Sequence, residues 1–199
     1  MRIIETLMNE HREIERVLAA LEVYADRVFT GELPPLEDLG DFGMLLREFA
    51  DRCHHGKEED ILFAEMAAHG FPQDTGPLAV MYQEHEQGRR LVRVLIEASQ
   101  QNEWTPELRK SVVKNAREFV SLLRAHIQKE DHILYPMSEN AIPQSRMDEL
   151  AVQSDEFEKN VMKAGTHEKL HAQIHDIAEK YGNRAQWTDS ERASQANPS

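Results

Sequence analysis

The sequence predicts an all-α protein, an up-down-up-down four-helix bundle followed by one or two additional C-terminal helices. Three observations predict it. Apolar residues recur every three or four positions along most of the chain, which is typical of helices that bury one face. Residues that end helices divide this pattern into four long segments with short connections. A ten-residue motif occurs twice, in the second and in the fourth segment, which indicates that the bundle consists of two similar halves.

The four bundle helices follow in order from the positions of their apolar stripes and their ends. The first carries a stripe from Ile4 to Val28, with His11 at a core position, and ends before Gly31. The second spans about residues 37–68, and the third begins near residue 76. Thr105 is the expected N-cap of the fourth helix, because Pro106 follows it at the first helical position. The stripe of the fourth helix is Val112, Ala116, Phe119, Leu123, His126, Glu130, Ile133 and Met137.

The chain is expected to contain three regions. Residues 1–140 form the bundle, and residues 141–187 form a helical extension that packs on it. The extension is also a candidate surface for forming a homodimer. Residues 188–199 are small and polar, so we expect them to be disordered.

The composition excludes several classes of function. The formal net charge of −13 over 199 residues argues against nucleic-acid binding, because phosphate binding needs a basic patch. No apolar run approaches the roughly 20 residues that span a bilayer, and the start of the sequence lacks a signal-peptide pattern. Cys53 is the single cysteine, so no intramolecular disulfide can form. We therefore expect a cytoplasmic protein that binds neither nucleic acid nor membrane.

The repeated motif places a histidine four residues before a glutamate. The first copy, residues 54–63, reads HHGKEEDILF, and the second, residues 126–135, reads HIQKEDHILY. On a helix the two side chains of each pair lie on one face, one turn apart. A further histidine precedes each copy on the preceding helix. The six candidate residues are His11, His54, Glu58, His85, His126 and Glu130.

These residue types in this pattern predict a metal site. Any one of the histidines alone would be interpreted as a hydrogen-bonded core residue. Four of them, one per helix, together with two carboxylates on core stripes, are better explained by a bound cation. Burying Glu58 and Glu130 unpaired would cost several kcal/mol each, and a cation removes that cost. The set can serve two ions with both carboxylates bridging, and imidazole with carboxylate suits iron, manganese or zinc.

The succession of His, HxxxE, His and HxxxE on four helices resembles the hemerythrin family, in its bacterial HHE cation-binding branch. The segments HHGKEEDILF, EHEQGR and HIQKEDHILYPM carry the resemblance, which covers about residues 1–140. It implies two non-haem iron ions, oxo- or hydroxo-bridged, with zinc and manganese as alternatives. The four histidines would be terminal ligands, and Glu58 and Glu130 would bridge.

The sequence departs from the oxygen carriers of this family in one respect. Carriers have a second histidine four residues after the third-helix histidine, and here Arg89 occupies that position. His55 is the nearest candidate for a fifth nitrogen ligand, but on an α-helix it points about 100° away from His54. Its alternative interpretation is an exposed partner of Glu59. The other candidate is His167, at the expected start of a C-terminal helix. Without a fifth nitrogen, redox turnover is favoured over stable oxygen carriage.

Three functions remain open from the residues and the resemblance. The favoured one is binding of dioxygen or a related ligand, such as nitric oxide or peroxide, for storage, delivery or sensing. The second is a di-iron enzyme or stress-protection protein that acts on peroxide, nitric oxide or iron. The third is a metal-stabilised interaction module. In all three, Glu59 and Asp131 either orient imidazoles or lie exposed, and Tyr135 is expected to pack in the core as Phe63 does.

Overall fold

The computed structural model describes residues 3–161 and 166–182, which form six helices. No strand occurs within these two ranges, so the predicted all-α class is confirmed. The helices are α1, Ile3–Thr30; α2, residues 37–68; α3, Gly76–Ser99; α4, residues 106–141; α5, Gln144–Val161; and α6, Thr166–Tyr181. No helix in the described part of the chain is long and apolar enough to cross a membrane.

Helices α1 to α4 form a closed ring. Each packs against the next in the chain, and α4 packs against α1. The connections at residues 31–36, 69–75 and 100–105 are short, which is typical of an up-down-up-down bundle. The predicted N-cap of α4 is confirmed, because the Leu108 backbone N–H donates to the Thr105 hydroxyl at 3.1 Å.

Helices α2 and α4 change from α-helical to π-helical winding in the middle of the bundle. In α2 the π-helical segments are Leu46–His55 and Glu58–Phe63, and in α4 the segment is Glu130–Leu134. A π-helix bonds each residue to the fifth one along, and such turns are frequent at functional sites. The wider turn shifts which side chains face the core. The predicted stripe of α4 is therefore wrong beyond Glu130: Ile133 is 53 % exposed, and Leu134 is buried in its place.

A layer of buried polar residues divides the apolar core into two clusters. The larger cluster extends from Ile14 and Phe49 to the far end of the bundle, and the smaller one surrounds Leu7 and Phe63. The predicted stripe of α1 is buried along its whole length, including His11 between the two clusters. The polar layer therefore lies between two apolar clusters, which exclude water from both ends of the bundle.

The C-terminal helices pack on the bundle. Helix α6 lies against α1 and α2, where the buried side chains of Leu170, Ile174 and Ile177 extend the larger cluster. Helix α5 contacts α1 and the π-helical segments of α2. The predicted homodimer through these helices stays a prediction. The predicted disorder of residues 188–199 lies outside the described residues.

Two glycines, one in α2 and one in α3, test how closely each of these helices approaches the next helix of the bundle. A Cβ added at Gly43 would lie 2.3 Å from Ile96 Cγ1, whereas one at Gly88 would meet the Phe119 ring at an ordinary 3.5 Å. We expect Gly43→Ala to lower the free energy of unfolding by about 1–3 kcal/mol through overpacking. Gly88→Ala should raise it by about 0.5–1 kcal/mol through helix propensity. Urea denaturation of both variants checks this, and effects of equal sign would contradict it.

Candidate metal centre

The structure brings all six predicted residues together in the polar layer, and each is at most 1 % exposed. Their potential ligand atoms form two groups, and within each group the atoms lie within 4.8 Å of one another. The first group is His11, His54, Glu58 and Glu130, and the second is His55, His85, His126 and Glu58. The lone histidine and the motif histidine of each half therefore stand together, as the sequence pattern predicts for two ion positions.

Each carboxylate is approached by imidazoles from both groups. Glu58 Oε2 lies 3.7 Å from His54 Nε2 and 3.5 Å from His85 Nε2. Glu130 Oε1 lies 3.0 Å from His126 Nε2, and its Oε2 lies 3.3 Å from His11 Nε2. In all four contacts the imidazole atom is Nε2, and the carboxylates lie between the two groups. This is the placement that two bridging carboxylates require.

The opposite nitrogen of each lone histidine bonds an acidic residue from the repeated motif. His11 Nδ1 lies 2.7 Å from Asp131 Oδ1, and His85 Nδ1 lies 2.6 Å from Glu59 Oε1. Asp131 and Glu59 directly follow the two buried glutamates in sequence. Of the two interpretations given to these acids, the one in which they orient imidazoles is therefore the one that the structure supports. A carboxylate behind an imidazole fixes the ring and makes the other nitrogen a better ligand.

The motif histidines have equivalent partners that the sequence reasoning missed. His54 Nδ1 lies 2.9 Å from Glu10 Oε2, and His126 Nδ1 lies 2.9 Å from Glu84 Oε2. The signal for them was present, because each lone histidine is directly preceded by a glutamate. Basic residues in turn bond all four of these acids: Lys57 to Glu10, Lys129 to Glu84, Arg12 to Asp131 and Arg89 to Glu59.

His55 lies in the centre and not on the surface. It is 6 % exposed, and its ring stacks on that of His85 with centroids 3.8 Å apart. The alternative interpretation as an exposed partner of Glu59 is wrong, because Glu59 bonds His85 and Arg89. The π-helical winding explains how adjacent histidines both face inward, since a wider turn reduces the angle between successive side chains. Asp51 Oδ1, at 3.4 Å, is the acidic partner of His55 Nδ1.

Arg89, which stands where oxygen carriers have a histidine, supports this fifth imidazole. Its Nε donates to Asp51 at 2.8 Å and its Nη2 donates to Glu59 at 2.8 Å. The arginine thus holds the acidic partners of both His55 and His85. The other fifth-nitrogen candidate, His167, belongs to α6 by its backbone, and its side chain lies outside the described residues.

Tyr135 also belongs to the centre, although the sequence predicted a packing role. Its hydroxyl donates to Glu58 Oε1 at 2.7 Å and lies 3.3 Å from His11 Nε2. The π-helical segment immediately before it turns it inward. The only signal in the sequence was the change from Phe63 to tyrosine between the two copies of the motif.

The fold and the arrangement of this centre agree with a comparison with known proteins. The hemerythrin HHE cation-binding domain family matches residues 2–138. The chain belongs to this family.

Individual relatives resemble this HHE domain over part of their length. Uncharacterized proteins of Mycobacterium tuberculosis and Mycobacterium bovis are 23 % identical over 133 residues, which cover 66 % of this chain and 51 % of theirs. The iron-sulfur cluster repair protein YtfE of Salmonella newport is 34 % identical over 86 residues, which cover 42 % of this chain and 39 % of that protein. The chain thus spans about half the length, or less, of these curated relatives. No solved structure matches it.

The side chains of this HHE domain fit a bound cation. Within the described residues, Glu58 Oε2 and both carboxylate oxygens of Glu130 are buried without a hydrogen-bond donor. Burial, together with the neighbouring Glu130, raises the pKa of Glu58 well above its usual value. Burial and adjacent imidazoles hold the pKa values of His54 and His85 well below the usual range. Neutral imidazoles facing donor-free carboxylate oxygens could therefore hold metal.

A further acidic cluster beside the centre is already neutralised by a lysine. Glu10, Cys53 and Glu158 place potential ligand atoms within 4.8 Å of one another. The ammonium group of Lys57, which is 0 % exposed, bonds both Glu10 and Glu158. Burial raises the pKa of the Cys53 thiol to about 12, so the sulfur stays protonated. We therefore assign no ion to this cluster.

The metal-free protein should lose stability as the pH rises. Burial lowers the pKa of His126, but Glu130 and Glu84 outweigh burial and raise the value to about 9. An unfolded histidine titrates near 6.5. The protonated His126 therefore contributes about 3 kcal/mol to the free energy of unfolding below pH 6.5, and this contribution is lost as the pH approaches 9. Urea unfolding with a chelator at both pH values measures it. His126→Gln should reduce the slope of the profile, and greater stability at the higher pH would contradict the expectation.

Proposed function

We propose that this chain is a non-haem di-iron protein that binds dioxygen or a related small ligand, for storage, delivery or sensing. One observation carries the proposal: five buried imidazoles turn toward two buried glutamates whose inner oxygens lack donors. His11 and His54 would hold one ion, and His55, His85 and His126 the other. Glu58 and Glu130 would bridge the two. When bound, the irons would supply the chemistry of reversible ligand binding.

The fifth imidazole favours a binding protein over a redox enzyme. The substitution at Arg89 removes the nitrogen ligand that oxygen carriers use, and an open or labile centre would favour turnover. His55, buried against His85, offers a nitrogen on the same side of the centre. A nitrogen-rich, water-excluded centre is less negative than a carboxylate-rich one, so it is better suited to reversible ligand binding than to stabilising high-valent iron.

A surface cavity gives small ligands a place to approach. Its volume is about 450 Å³, and its lining includes Asp51, Gly56, Arg89 and Phe157. Asp51 is the acidic partner of His55, so a residue that lines the cavity contacts the second group of ligand atoms. We infer that a diatomic ligand approaches from this side, past the ion pair between Arg89 and Asp51.

The second candidate is a stress-protection function that consumes nitric oxide or peroxide. The similarity to a relative named as an iron-sulfur cluster repair protein favours it. Both candidates use the same residues, so turnover separates them. A binding protein should form a stable spectrum with one equivalent of ligand, whereas an enzyme should consume many equivalents.

The decisive experiment measures the metal content of protein from iron-supplied cells and its visible spectrum on anaerobic reduction and return to air. We expect about two irons per chain and a band that bleaches and recovers. His55→Gln should weaken retention of one iron, while the exposed His69→Gln should not. Stoichiometric zinc, or no metal in a folded protein, would leave the interaction module as the explanation.

A further inference from the structure

The two halves of the centre differ at one buried hydroxyl group. Phe63 and Tyr135 occupy equivalent positions in the two copies of the motif. The Phe63 ring stacks on His85 with centroids 5.9 Å apart and 17° between the planes. The Tyr135 ring stacks on His11 at 5.6 Å and 10°. The two aromatic rings therefore play the same packing role, and the tyrosine adds an oxygen to one half.

That oxygen binds one of the two central carboxylates. The Tyr135 hydroxyl donates to Glu58 Oε1 at 2.7 Å, and both side chains are 0 % exposed. Glu58 Oε2 has no donor among the described residues. At Glu130, by contrast, no hydroxyl group in the same part of the chain holds either oxygen, and the two oxygens face the Nε2 atoms of His126 and His11 at 3.0 and 3.3 Å. One glutamate thus has a single oxygen available for metal, and the other has two.

We propose that Tyr135 is a positioning residue, which holds Glu58 Oε1 by a hydrogen bond so that Glu58 would reach the ions through Oε2 alone, whereas Glu130 would offer them both oxygens. The inference rests on the proposed function only in requiring metal ions at this centre. It makes the two carboxylate bridges inequivalent, although the motif that supplies them is repeated.

The hydroxyl also limits how far Glu58 can move. A buried carboxylate without a second partner can rotate to bind through either oxygen or both. A hydrogen bond to a charged acceptor is stronger than one between neutral groups, and the stacked His11 ring holds the phenol in place. Tyr135 therefore fixes the side of Glu58 that faces the ions, in the half that lacks the third imidazole.

Infrared spectroscopy of protein with ¹³C-labelled glutamate carboxylates tests the proposal. Carboxylates that bind metal through one oxygen, called monodentate here whether that oxygen reaches one ion or two, differ from those that bind through both oxygens in the separation between their antisymmetric and symmetric stretches. The metal-loaded minus metal-free spectrum of the wild type should show one pair of bands of each kind. Tyr135→Phe, which copies the other half, should lose the monodentate pair. Tyr82→Phe is the matched control, because Tyr82 packs on Phe63 without bonding either glutamate, and it should match the wild type.

The reciprocal variant and a crystal structure complete the test. Phe63→Tyr should add a monodentate pair by placing a hydroxyl against Glu130. An unchanged spectrum for Tyr135→Phe with full metal content would overturn the proposal. If that variant fails to fold or to hold metal, the metal-loaded wild-type crystal structure decides, since Glu58 Oε1 on a metal would also overturn it. A wild type that takes up no metal would instead refute the proposed function.

Discussion

Glu58→Gln is expected to stabilise the metal-free protein while abolishing tight metal binding. Burial and the nearby Glu130 raise the pKa of Glu58, whereas an unfolded glutamate ionises near pH 4.3. At pH 7 the folded state therefore carries a penalty that glutamine lacks, and removing it should contribute about 1–3 kcal/mol. Tyr135 can still donate to the amide oxygen. The neutral amide cannot serve as an anionic bridge, so the stabilisation that metal gives the wild type, about 4 kcal/mol at a thousandfold excess over Kd, should disappear.

Urea unfolding with and without metal measures both effects for Glu58→Gln. With a chelator present, the gain should shrink toward zero as the pH falls to about 4, where the unfolded carboxyl is also protonated. The exposed Glu179→Gln is the control and should change stability by less than about 0.5 kcal/mol. If the variant is less stable than the wild type when both are free of metal, Glu58 has a structural role of its own.

Lys57→Met should be strongly destabilising, although the equivalent change in the other half should not be. Lys57 is 0 % exposed and bonds Glu10, the acidic partner of His54. Removing the cationic partner of a buried carboxylate typically costs about 3–5 kcal/mol. Lys129 bonds Glu84 in the same way, but its side chain is 35 % exposed. Water can therefore replace it, and Lys129→Met should cost less than about 1 kcal/mol.

Thermal or urea unfolding of the two lysine variants measures their losses of stability. The two variants are matched, because Lys57 and Lys129 occupy equivalent positions in the two copies of the motif. The Lys57 variant should also hold metal more weakly, because Glu10 no longer orients His54. Equal losses of stability would mean that burial does not distinguish the two sites.

The asymmetry between the halves has a structural source in the C-terminal helices. Phe157 and Glu158 of α5 reach the π-helical side of α2, where Phe157 packs on Gly56 and Glu158 bonds Lys57. Lys129 keeps part of its side chain in solvent. A region outside the family match at residues 2–138 therefore buries one ion pair of the centre.

The sequence by itself determined the bundle, its helix boundaries and the six predicted residues. These follow from local patterns: a 3.6-residue period, turn residues such as Gly31, and a motif whose His and Glu share a face. The repeat also predicted which lone histidine lies beside which motif histidine, because each of the two similar halves supplies one of each.

Only the tertiary structure decided the roles of His55, Tyr135 and Asp51. If α2 and α4 were α-helical throughout, His55 would point away from the centre and the buried stripe of α4 would continue through Ile133. The π-helical segments at Leu46–His55 and Glu130–Leu134 change both assignments. No periodicity in the sequence marks a π-turn, because its winding depends on packing and bonding against neighbouring helices. The pairing of each imidazole with an acid from another helix, as in His11 with Asp131, likewise exists only once the four helices meet.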